Sequence, residues 1–542
     1  MSNTALLIQL AAYVSAIWSI TVFFVQVIGN FQIFTRYSSR PKSPVSSSLP
    51  VGEAPHVTII RPVKGVEPNL YECIASTFRQ NYPRDKLSIC LCVAEKSDPA
   101  YPLLLKIVQD FPEIDARVLV ESDDPFLNGL NRPAAVLGPN PKIRNISRAY
   151  REAKGDIIWV IDCNVWVGPG TGGRMVDKLV GLGPAGKHEV PYKFVHQLPI
   201  STETETLWEP TPESRSLLSP SLPGKASEAS GSRGHSLIGR IMRHGGGRLD
   251  EMFMGTAHAK FYSAINTVGV APCAVGKSNM FRKSHLEIAT DPARNPGLNI
   301  RHESPGGLDY FSNFICEDHL ISDILWKSDL PGFRNHALVY GDLAIQPMAG
   351  FSVQAYVARR ARWLRARKWT VLAATLVEPG TESLLCCLHV AFALTTIPWV
   401  HETFGMPQTW SAMGLTWLAT VALWMFGDWN TYNHLHSGQS IDLDDQAPKF
   451  ARGTANADGA ARRTFFEWLP AWLGRETLAL PIWTWAVLLG STVDWRGQTF
   501  KVRMDMSVVA LDAKKPGVSG SRSSGVDSPS GDARSRSKSG RV

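Results

Sequence analysis

Two aspartates each follow an apolar run that is typical of a buried strand. Asp98 comes shortly after LSICLCV, and Asp162 ends DIIWVID. In an open α/β sheet, ligands bind beyond the carboxyl ends of the strands, where loops and helix N-termini present free N–H groups. Either aspartate alone is more often a turn residue or a helix cap. Their position at one edge of the same sheet favours a polar binding site.

Two later segments add an acidic pair and an arginine-rich helix. ICEDHLI supplies Glu317 and Asp318, and RRARW supplies Arg359, Arg362 and Trp363. Residues three and four positions apart share one face of a helix, so the last three should point the same way. The acidic pair could also be a helix cap, and the arginines could also form a membrane-surface helix. We expect a membrane-surface role mainly for the other basic residues, Arg360, Arg365, Arg367 and Lys368.

The elements that must position these residues are alternating strands and helices. Short apolar, β-branched runs begin at His56, Leu87, Ala116 and Asp156, with helix-compatible stretches between them. This alternation predicts an α/β fold whose sheet is mostly parallel and is covered on both faces.

Four apolar blocks are candidates for membrane segments. The chain has 542 residues, of which 44% are hydrophobic and 19% charged. Ala5 to Ile28 has no charged side chain and, at about 1.5 Å per residue, can cross roughly 30 Å of hydrocarbon. A signal peptide is its alternative, although a basic start and a cleavage site are missing. For the other blocks, buried core helices are the alternative to spans: Leu384 to Val400, Trp410 to Gly427, and Thr477 to Val493.

The charges beside the first block predict its orientation. Arg36, Arg40 and Lys42 follow it and no charge precedes it, so the positive-inside rule places the next region in the cytosol. Three C-terminal crossings would then put the basic tail on the opposite side, so either one block is re-entrant or the tail violates the rule. The eight cysteines should be reduced in the cytosol. The net charge of +8 lies mainly beside the apolar blocks and in the tail, which indicates anionic lipids rather than nucleic acid.

The chain divides into five predicted regions: an N-terminal transmembrane helix over 1–35, a linker over 36–55, a cytosolic α/β domain over 56–370, a C-terminal membrane region with three apolar segments over 371–505, and a disordered basic tail over 506–542. Within the α/β domain, 201–248 is rich in Ser, Pro, Gly, Glu and Arg and is predicted to be a disordered insertion.

Taken in order, these segments resemble glycosyltransferase family 2. That family has an aspartate after an early strand, an Asp-x-Asp-like site, a later catalytic aspartate and the motif (Q/R)xxRW. The segments RPVKGVEPNL, SDPA, NPKIRN, GTAHAKFY, ICEDH, RRARW and VDWRG are most similar to members that transfer glucose from UDP-glucose to ceramide. The resemblance implies a glycosyltransferase-A type α/β domain beside a small transmembrane helical bundle, in the Golgi or the endoplasmic reticulum.

The resemblance also implies a donor site and a metal site. Asp98 would bind the uracil or ribose of UDP-glucose, and Lys64 and Lys142 would hold its phosphates. Asp162 would lie beside the diphosphate and a divalent cation, Mg²⁺ or Mn²⁺. The sequence DCN places the amide Asn164 where the family has a second carboxylate, so the use of a metal is left open.

The implied chemistry is an inverting transfer. Asp318 would be the general base that takes the proton of the primary hydroxyl of ceramide, so that the product is a β-glucoside. Arg362, and with it Arg359, would stabilise charge on the leaving diphosphate. The acceptor pocket would be lined by Trp363, His258 and Cys273.

Two other functions stay open. A processive polysaccharide synthase of the same family would use a similar domain, but such enzymes usually carry QxxRW and more membrane spans. A non-catalytic membrane scaffold could bind a nucleotide with a degenerate domain. That alternative predicts loss of the base, whereas Asp318 is present.

Overall fold

The structure, a computed structural model, describes residues 3–50, 52–128, 137–184, 187–204, 237–295, 297–298, 306–460, 462–495 and 497–511. Its helices are α1 (Asn3–Arg36), α2 (Leu70–Phe78), α3 (Tyr101–Asp110), α4 (Pro125–Asn128), α5 (Pro141–Arg151), α6 (Thr171–Val180), α7 (Leu237–His244), α8 (Gly246–Phe253), α9 (Ala259–Val268), α10 (Lys283–Ala289), α11 (Glu317–Lys327), α12 (Val353–Arg367), α13 (Leu372–Val377), α14 (Ser383–Thr396), α15 (Pro398–Phe404), α16 (Trp410–His436), α17 (Lys449–Arg452) and α18 (Phe465–Trp483).

A mixed sheet forms the centre of the α/β domain. Its strands are β1 (Val57–Pro62), β2 (Leu87–Val93), β3 (Asp115–Val120), β4 (Ile157–Ile161), β5 (Tyr192–Glu203), β6 (Ser278–Arg282) and β7 (Arg334–Met348). They are ordered β3-β2-β1-β4-β6-β5-β7, and β6 is antiparallel to both of its neighbours while the other pairs are parallel. A small antiparallel sheet consists of β8 (Thr492–Trp495), β9 (Gln498–Val502) and β10 (Val508–Leu511).

The first four strands agree with the sequence-based prediction to within one residue at their starts. Ile59 packs into the hydrophobic cluster on one face of the sheet, and its neighbour Ile60 packs into the cluster on the other face. Trp159 and Ile158 alternate in the same way. Successive side chains of a strand point to opposite faces, so a continuous apolar run requires cover on both sides. The predicted α/β fold with a mostly parallel sheet is confirmed.

Apolar helices lie beside this domain. Within the described ranges, α1 and α16 are each long and apolar enough to cross a membrane, and α14 with α15 forms a pair bent by 71° that could be a third crossing. The bend follows from Pro398, which lacks a backbone N–H and pushes Ile397 into an extended conformation (φ −71°, ψ 121°).

The last predicted membrane block, Thr477 to Val493, is not one helix. It is divided between the end of α18, a π-helical turn over Thr484–Leu488 and the strand β8. Two prolines, Pro470 and Pro481, lie inside α18, and it also carries the buried charged pair Arg475 and Glu476. The predicted three apolar segments of the C-terminal region therefore become one bent pair, one long helix and this shorter element.

The long apolar helices are fixed to the α/β domain by polar and close contacts. Lys260 of α9 forms a buried ion pair with Asp428 of α16, and Trp472 Nε1 of α18 donates to the same carboxylate at 2.9 Å. A Cβ built on Gly29 of α1 would lie 2.2 Å from the carbonyl oxygen of Lys260, so only glycine permits this approach. The helices and the domain thus form one packed body around Lys260.

Two predicted regions have different limits in the structure. Residues 201–203 belong to β5 and 237–248 to α7 and α8, so the ends of the predicted insertion are ordered; 205–236 lie outside the described residues. The strand β10 occupies the start of the predicted tail, of which 512–542 lie outside the described residues.

The predicted linker packs on the domain. The backbone N–H groups of Val45 and Ser46 donate to the carboxylate of Asp177 in α6 at 2.6 and 2.8 Å. Ser46 is completely buried. The segment therefore fixes the distance between α1 and the sheet.

Candidate active site

Asp162 lies at the carboxyl end of β4, as the sequence predicts. Its backbone N–H donates to the carbonyl of Lys277 at 3.1 Å, which extends the antiparallel pairing of Ile161 with Ser278. Because β6 runs opposite to β4, β6 begins where β4 ends. This pairing brings Lys277 beside Asp162, and Lys277 Nζ lies 3.2 Å from Asp162 Oδ2.

Lys142 lies in the first turn of α5 and reaches the same carboxylate. The side chain of Asn140 accepts a hydrogen bond from the backbone N–H of Lys142 at 2.8 Å, and Pro141 fills the first helical position, so the sequence NPK fixes the start of the helix. Lys142 Nζ lies 3.2 Å from Asp162 Oδ1 and 3.1 Å from Glu317 Oε1. It therefore connects the end of β4 to the acidic pair of the ICEDH segment.

Glu317 and Asp318 form the first turn of α11. The position of Asp318 is defined by Gly276, because a Cβ built on this glycine would lie 2.9 Å from Asp318 Oδ2 and 3.1 Å from Lys142 Nζ. Both side chains therefore press against the backbone of Gly276. Asp318, Lys142 and Asp162 thus lie together at the ligand-binding edge of the sheet.

Burial and charge move the pKa values of these groups in different directions. Burial raises the pKa of Asp318 and that of Glu317 above the ordinary carboxyl value. Burial also acts to raise the pKa of Asp162, but the charges of Lys142 and Lys277 outweigh it and lower the pKa to about 2. A permanently ionised carboxylate and a more basic one therefore lie side by side, which is an arrangement suited to general base chemistry.

A small cavity beside the acidic pair explains why burial has the largest effect on the pKa values of Glu317 and Asp318. Apart from the charged groups already described, it is lined by Ile143, Ile146, Val160, Phe194, Gly276, Asn279, Phe281, Leu308 and Ile321. Because most of these side chains are apolar, they desolvate the carboxylates and favour the neutral form.

Lys64 and Asp98 lie in the loops that follow β1 and β2. The carboxylate of Asp98 accepts hydrogen bonds from the N–H of Gly65 at 3.0 and 3.1 Å and from the N–H of Ala100 at 2.9 Å. Asp98 is therefore a turn-stabilising residue, and it fixes the loop from which Lys64 projects as an exposed side chain. The structure brings together these two predicted donor-binding residues.

The helix α12 carries the RRARW segment, and Arg359 donates to Gln346 Oε1 of β7 at 3.0 Å. Arg359 lies 3.3 Å from Asp250 Oδ1, and its guanidinium lies 4.6 Å from the centre of the Trp363 ring, which Arg360 also approaches at 5.8 Å. Burial lowers the pKa of Lys277, and the charge of Arg359 acts in the same direction. Arg362 and Trp363 are half-buried on the same helix.

The other basic residues of α12, and Lys368 directly after it, bind protein groups, whereas the sequence favours a membrane-surface helix for them. Arg360 is buried, donates to Glu378 Oε1 at 3.2 Å and stacks 3.5 Å from the centre of the Phe253 ring. Arg367 pairs with the same glutamate. The guanidinium has five donors and a flat face, so it satisfies buried acceptors and covers an aromatic ring at once. The remaining two donate to backbone carbonyls. Arg365 donates to the carbonyl of Thr492 at 3.0 Å, and Lys368 donates to that of Val487 at 2.6 Å.

His258 and Cys273 lie in a common, largely desolvated region. Burial and two neighbouring arginine charges lower the pKa of His258 to about 3, so its ring is neutral, and it stacks on Tyr262 with centroids 5.1 Å apart. Within the described residues, His258 Nδ1 has no hydrogen-bond partner. Burial raises the pKa of Cys273 to about 12 although the charge of Arg367 opposes it, and that arginine also acts on His258. The two predicted acceptor-pocket residues therefore share one environment.

Asp162 and Asn164 do not fit a resident divalent cation. Both oxygens of Asp162 face an ammonium group, and Asn164 Oδ1 lies 3.5 Å from Lys277 Nζ. Mg²⁺ requires nearly octahedral oxygen ligands at about 2.0–2.1 Å. In the described part of the chain, no group of three or more His, Cys, Asp or Glu residues could hold a metal ion.

The sequence matches the family described as glycosyl transferase family 21 over residues 21–210 and 235–508, most of the chain. The chain belongs to glycosyltransferase family 21. It is therefore a glycosyltransferase, as the motifs predict. The matched family is family 21, and the assignment to family 2 stays a prediction.

Relatives in this family are similar over nearly their whole length. The chain is 55% identical to a ceramide glucosyltransferase of Pyricularia oryzae, over 96% of this chain and 98% of that protein. It is 52% identical to a ceramide glucosyltransferase of Gibberella zeae, over 90% and 91%. A ceramide glucosyltransferase of Candida albicans is 31% identical, over 91% of this chain and 97% of that protein.

Among solved structures, similar chains include a mannosyltransferase of Pyrobaculum calidifontis in complex with GDP-Man and Mn²⁺, with 14% identity and a TM-score of 0.36 over 80% of this chain and 100% of that one. Another is a glucosyl-3-phosphoglycerate synthase of Mycobacterium tuberculosis, with 13% identity and a TM-score of 0.27 over 66% and 84%.

Sequence reasoning gave no role to Lys277 and Gly276, which lie beside the predicted residues. Lys277 contacts Asp162, and Gly276 makes room for Asp318. Both lie in CAVGKSNM, where β6 has only five residues and includes Ser278 and Asn279. A strand this short and polar gives no periodic signal, so its position opposite β4 cannot be read from the chain.

Proposed function

We propose that this glycosyltransferase transfers glucose from UDP-glucose to the primary hydroxyl of ceramide and releases UDP. The observation that carries this proposal is the position of Asp318, whose pKa is raised by burial, beside the Lys142 and Asp162 pair at the edge of the sheet. The relatives named ceramide glucosyltransferase support the choice of substrates.

The proposed reaction is a single displacement. The ceramide oxygen forms a bond to the anomeric carbon while the bond from that carbon to the phosphate oxygen breaks, and its electron pair leaves with UDP. Asp318 accepts the hydroxyl proton in the same step. A raised pKa makes Asp318 a stronger base than an ordinary aspartate while it remains ionised above that pKa.

The surrounding residues would hold the donor and the acceptor. Lys142, with Lys64 on the loop fixed by Asp98, would face the donor's phosphates, and Arg362 would stabilise the leaving diphosphate. On the other side, Trp363 and the neutral ring of His258 would line the acceptor pocket, where the free Nδ1 of His258 could bind the hydroxyl or amide of ceramide.

We propose three membrane crossings, by α1, by the bent pair α14 and α15, and by α16. The helix α18 contacts the first residue of α14, because Ser383 N–H donates to Glu476 at 3.2 Å, and it contacts the final third of α16 through Asp428. Both contacts lie at the ends nearest the α/β domain. The outer face of α18 exposes three apolar side chains seven residues apart, which suits a helix in the plane of the membrane surface: Phe466 at 83%, Leu473 at 43% and Leu480 at 41%.

This arrangement would put the α/β domain and the basic tail on the same, cytosolic side, so the positive-inside rule holds for both. In sealed Golgi or endoplasmic reticulum vesicles, Lys501→Cys should react with a bulky maleimide, whereas Gln408→Cys, between α15 and α16, should react only after permeabilisation. Labelling of both in sealed vesicles would contradict three crossings.

The function is tested with purified protein and UDP-glucose in detergent. UDP release should require ceramide and should fall by about 10²-fold in Asp318→Asn. UDP release without lipid together with a growing polymer would favour the polysaccharide synthase, and UDP binding without any transfer would favour the scaffold.

A further inference from the structure

Among the described residues, no protein group uses the full hydrogen-bonding capacity of Lys277. It is 9% exposed, and its Nζ contacts Asp162 Oδ2 at 3.2 Å and Asn164 Oδ1 at 3.5 Å. Among the described residues its one ion pair is with Asp162, which Lys142 shares. An ammonium group has three N–H donors, so at least one donor of Lys277 is left for a ligand.

The same geometry excludes the usual place for a cation. A metal ion bound to Asp162 would have to replace the contacts to both lysines and would then lie close to two positive charges, each 3.2 Å from a different oxygen of the carboxylate. Asn164 would add an uncharged ligand only. The repulsion and the weak ligand set both disfavour the cation at this point.

We propose that Lys277 is a donor-binding residue which, together with Lys142, supplies the positive charge at the diphosphate that a divalent cation would otherwise supply. The proposal rests on the proposed use of UDP-glucose. Asp162 then has a positioning role, since it holds one ammonium group with each oxygen and directs both towards the edge of the sheet. Two fixed ammonium groups neutralise a diphosphate without the need to bind an ion first.

The position of Lys277 supports a direct contact with the donor. It immediately precedes β6, and the carbonyl of Lys277 accepts from the N–H of Asp162, so its backbone is fixed at the edge where ligands bind. Gly276, the preceding residue, lies against Asp318. The lysine is therefore placed between the proposed base and the predicted diphosphate site.

The test is titration of UDP into the purified full-length protein by calorimetry, once in excess EDTA and once in MgCl₂. We expect the two dissociation constants of the wild type to agree within about threefold. Lys277→Met should bind UDP at least tenfold more weakly in EDTA, with part of the loss restored by MgCl₂. Lys277→Arg keeps the charge and should stay within about threefold, and Lys178→Met, a surface lysine paired with Glu189, is the matched control.

Thermal unfolding of each variant shows whether it is folded, and if Lys277→Met is not, the wild-type titrations in EDTA and in MgCl₂ provide the test. A wild type that loses tenfold or more in UDP affinity in EDTA would overturn the proposal, as would equal affinities of Lys277→Met and the wild type in EDTA. If glucose transfer to ceramide occurs but requires Mg²⁺, the inference fails and the proposed function stands. If UDP binds under neither condition, both fail.

Discussion

Gly276→Ala is the substitution that most sharply probes the position of the proposed base. The new Cβ would lie 2.9 Å from Asp318 Oδ2 and 3.1 Å from Lys142 Nζ. Ordinary contacts of a Cβ begin at 3.4 Å, so the carboxylate must move by about 0.5 Å and the ammonium by about 0.3 Å. The backbone of Gly276 does not require glycine, because its φ is not positive.

The expected loss follows from these distances. A misplacement of 1 Å can cost about 10²-fold in rate, so about 0.5 Å should lower kcat by roughly tenfold, or about 1.4 kcal/mol in the activation free energy. UDP affinity should change by about twofold at most, because Lys142 moves less. The assay is initial-rate measurement of glucosylceramide formation at saturating UDP-glucose, with UDP titration alongside.

Gly306→Ala is the matched control within the same domain. Its Cβ would make an ordinary contact of 3.6 Å with Thr290 Oγ1, so both activity and thermal stability should be unchanged. If Gly276→Ala retained the full kcat while folded, Asp318 could not be positioned as described, and its assignment as the base would be refuted.

Three further outcomes are expected. Asp318→Asn should leave UDP affinity nearly unchanged while kcat falls by about 10²-fold. Asp98→Ala should mainly weaken UDP binding, because the loop of Lys64 is no longer held by the Asp98 carboxylate. Equal losses of UDP affinity in calorimetric titration of the two variants would contradict the assigned roles. The pKa of Asp318 is raised above that of an unfolded aspartate, so the ionised carboxylate destabilises the folded protein at neutral pH. Asp318→Asn should therefore raise the melting temperature at pH 7, and the gain should disappear as the pH falls towards 4. An unchanged melting temperature at both pH values would contradict the raised pKa. Deletion of 211–234, which the family match leaves out, should keep transfer activity within about twofold, and aggregation in detergent would show that the segment contributes to the fold.

The sequence predicts the parts of the fold whose signals are local. The runs that became β1, β2 and β4 are short, apolar and almost entirely buried, and the run of β3 is buried only at its end, so the parallel half of the sheet and the position of Asp162 follow directly. The strands β5 and β7 are interrupted by Pro199 and by Gly341 and Pro347, which hides them from a pattern based on apolar runs. They also pair through a register shift that only the folded chain defines.

The sequence predicts those residues of the candidate site that belong to motifs, but not those that are brought there by the pairing of distant strands. The order of the motifs suffices to predict Asp318 and Lys142 as site residues. Lys277 is different, because its role depends on the antiparallel pairing of β6 with β4, over 100 residues apart in sequence. For the basic residues of α12 the sequence is misleading in another way, since Arg360 looks like a surface residue but is buried and contacts Glu378 and Phe253.

The anomeric configuration of the lipid product tests the central claim most directly, since it reports the substrate, the donor and the displacement together. Purified protein incubated with UDP-glucose and ceramide should give one new lipid, a ceramide carrying a single hexose by mass spectrometry, with the β configuration by NMR and by complete digestion with a β-glucosidase. An α-linked product would contradict a single displacement assisted by Asp318, and no ceramide product in the presence of bound UDP-glucose would contradict the proposed function itself.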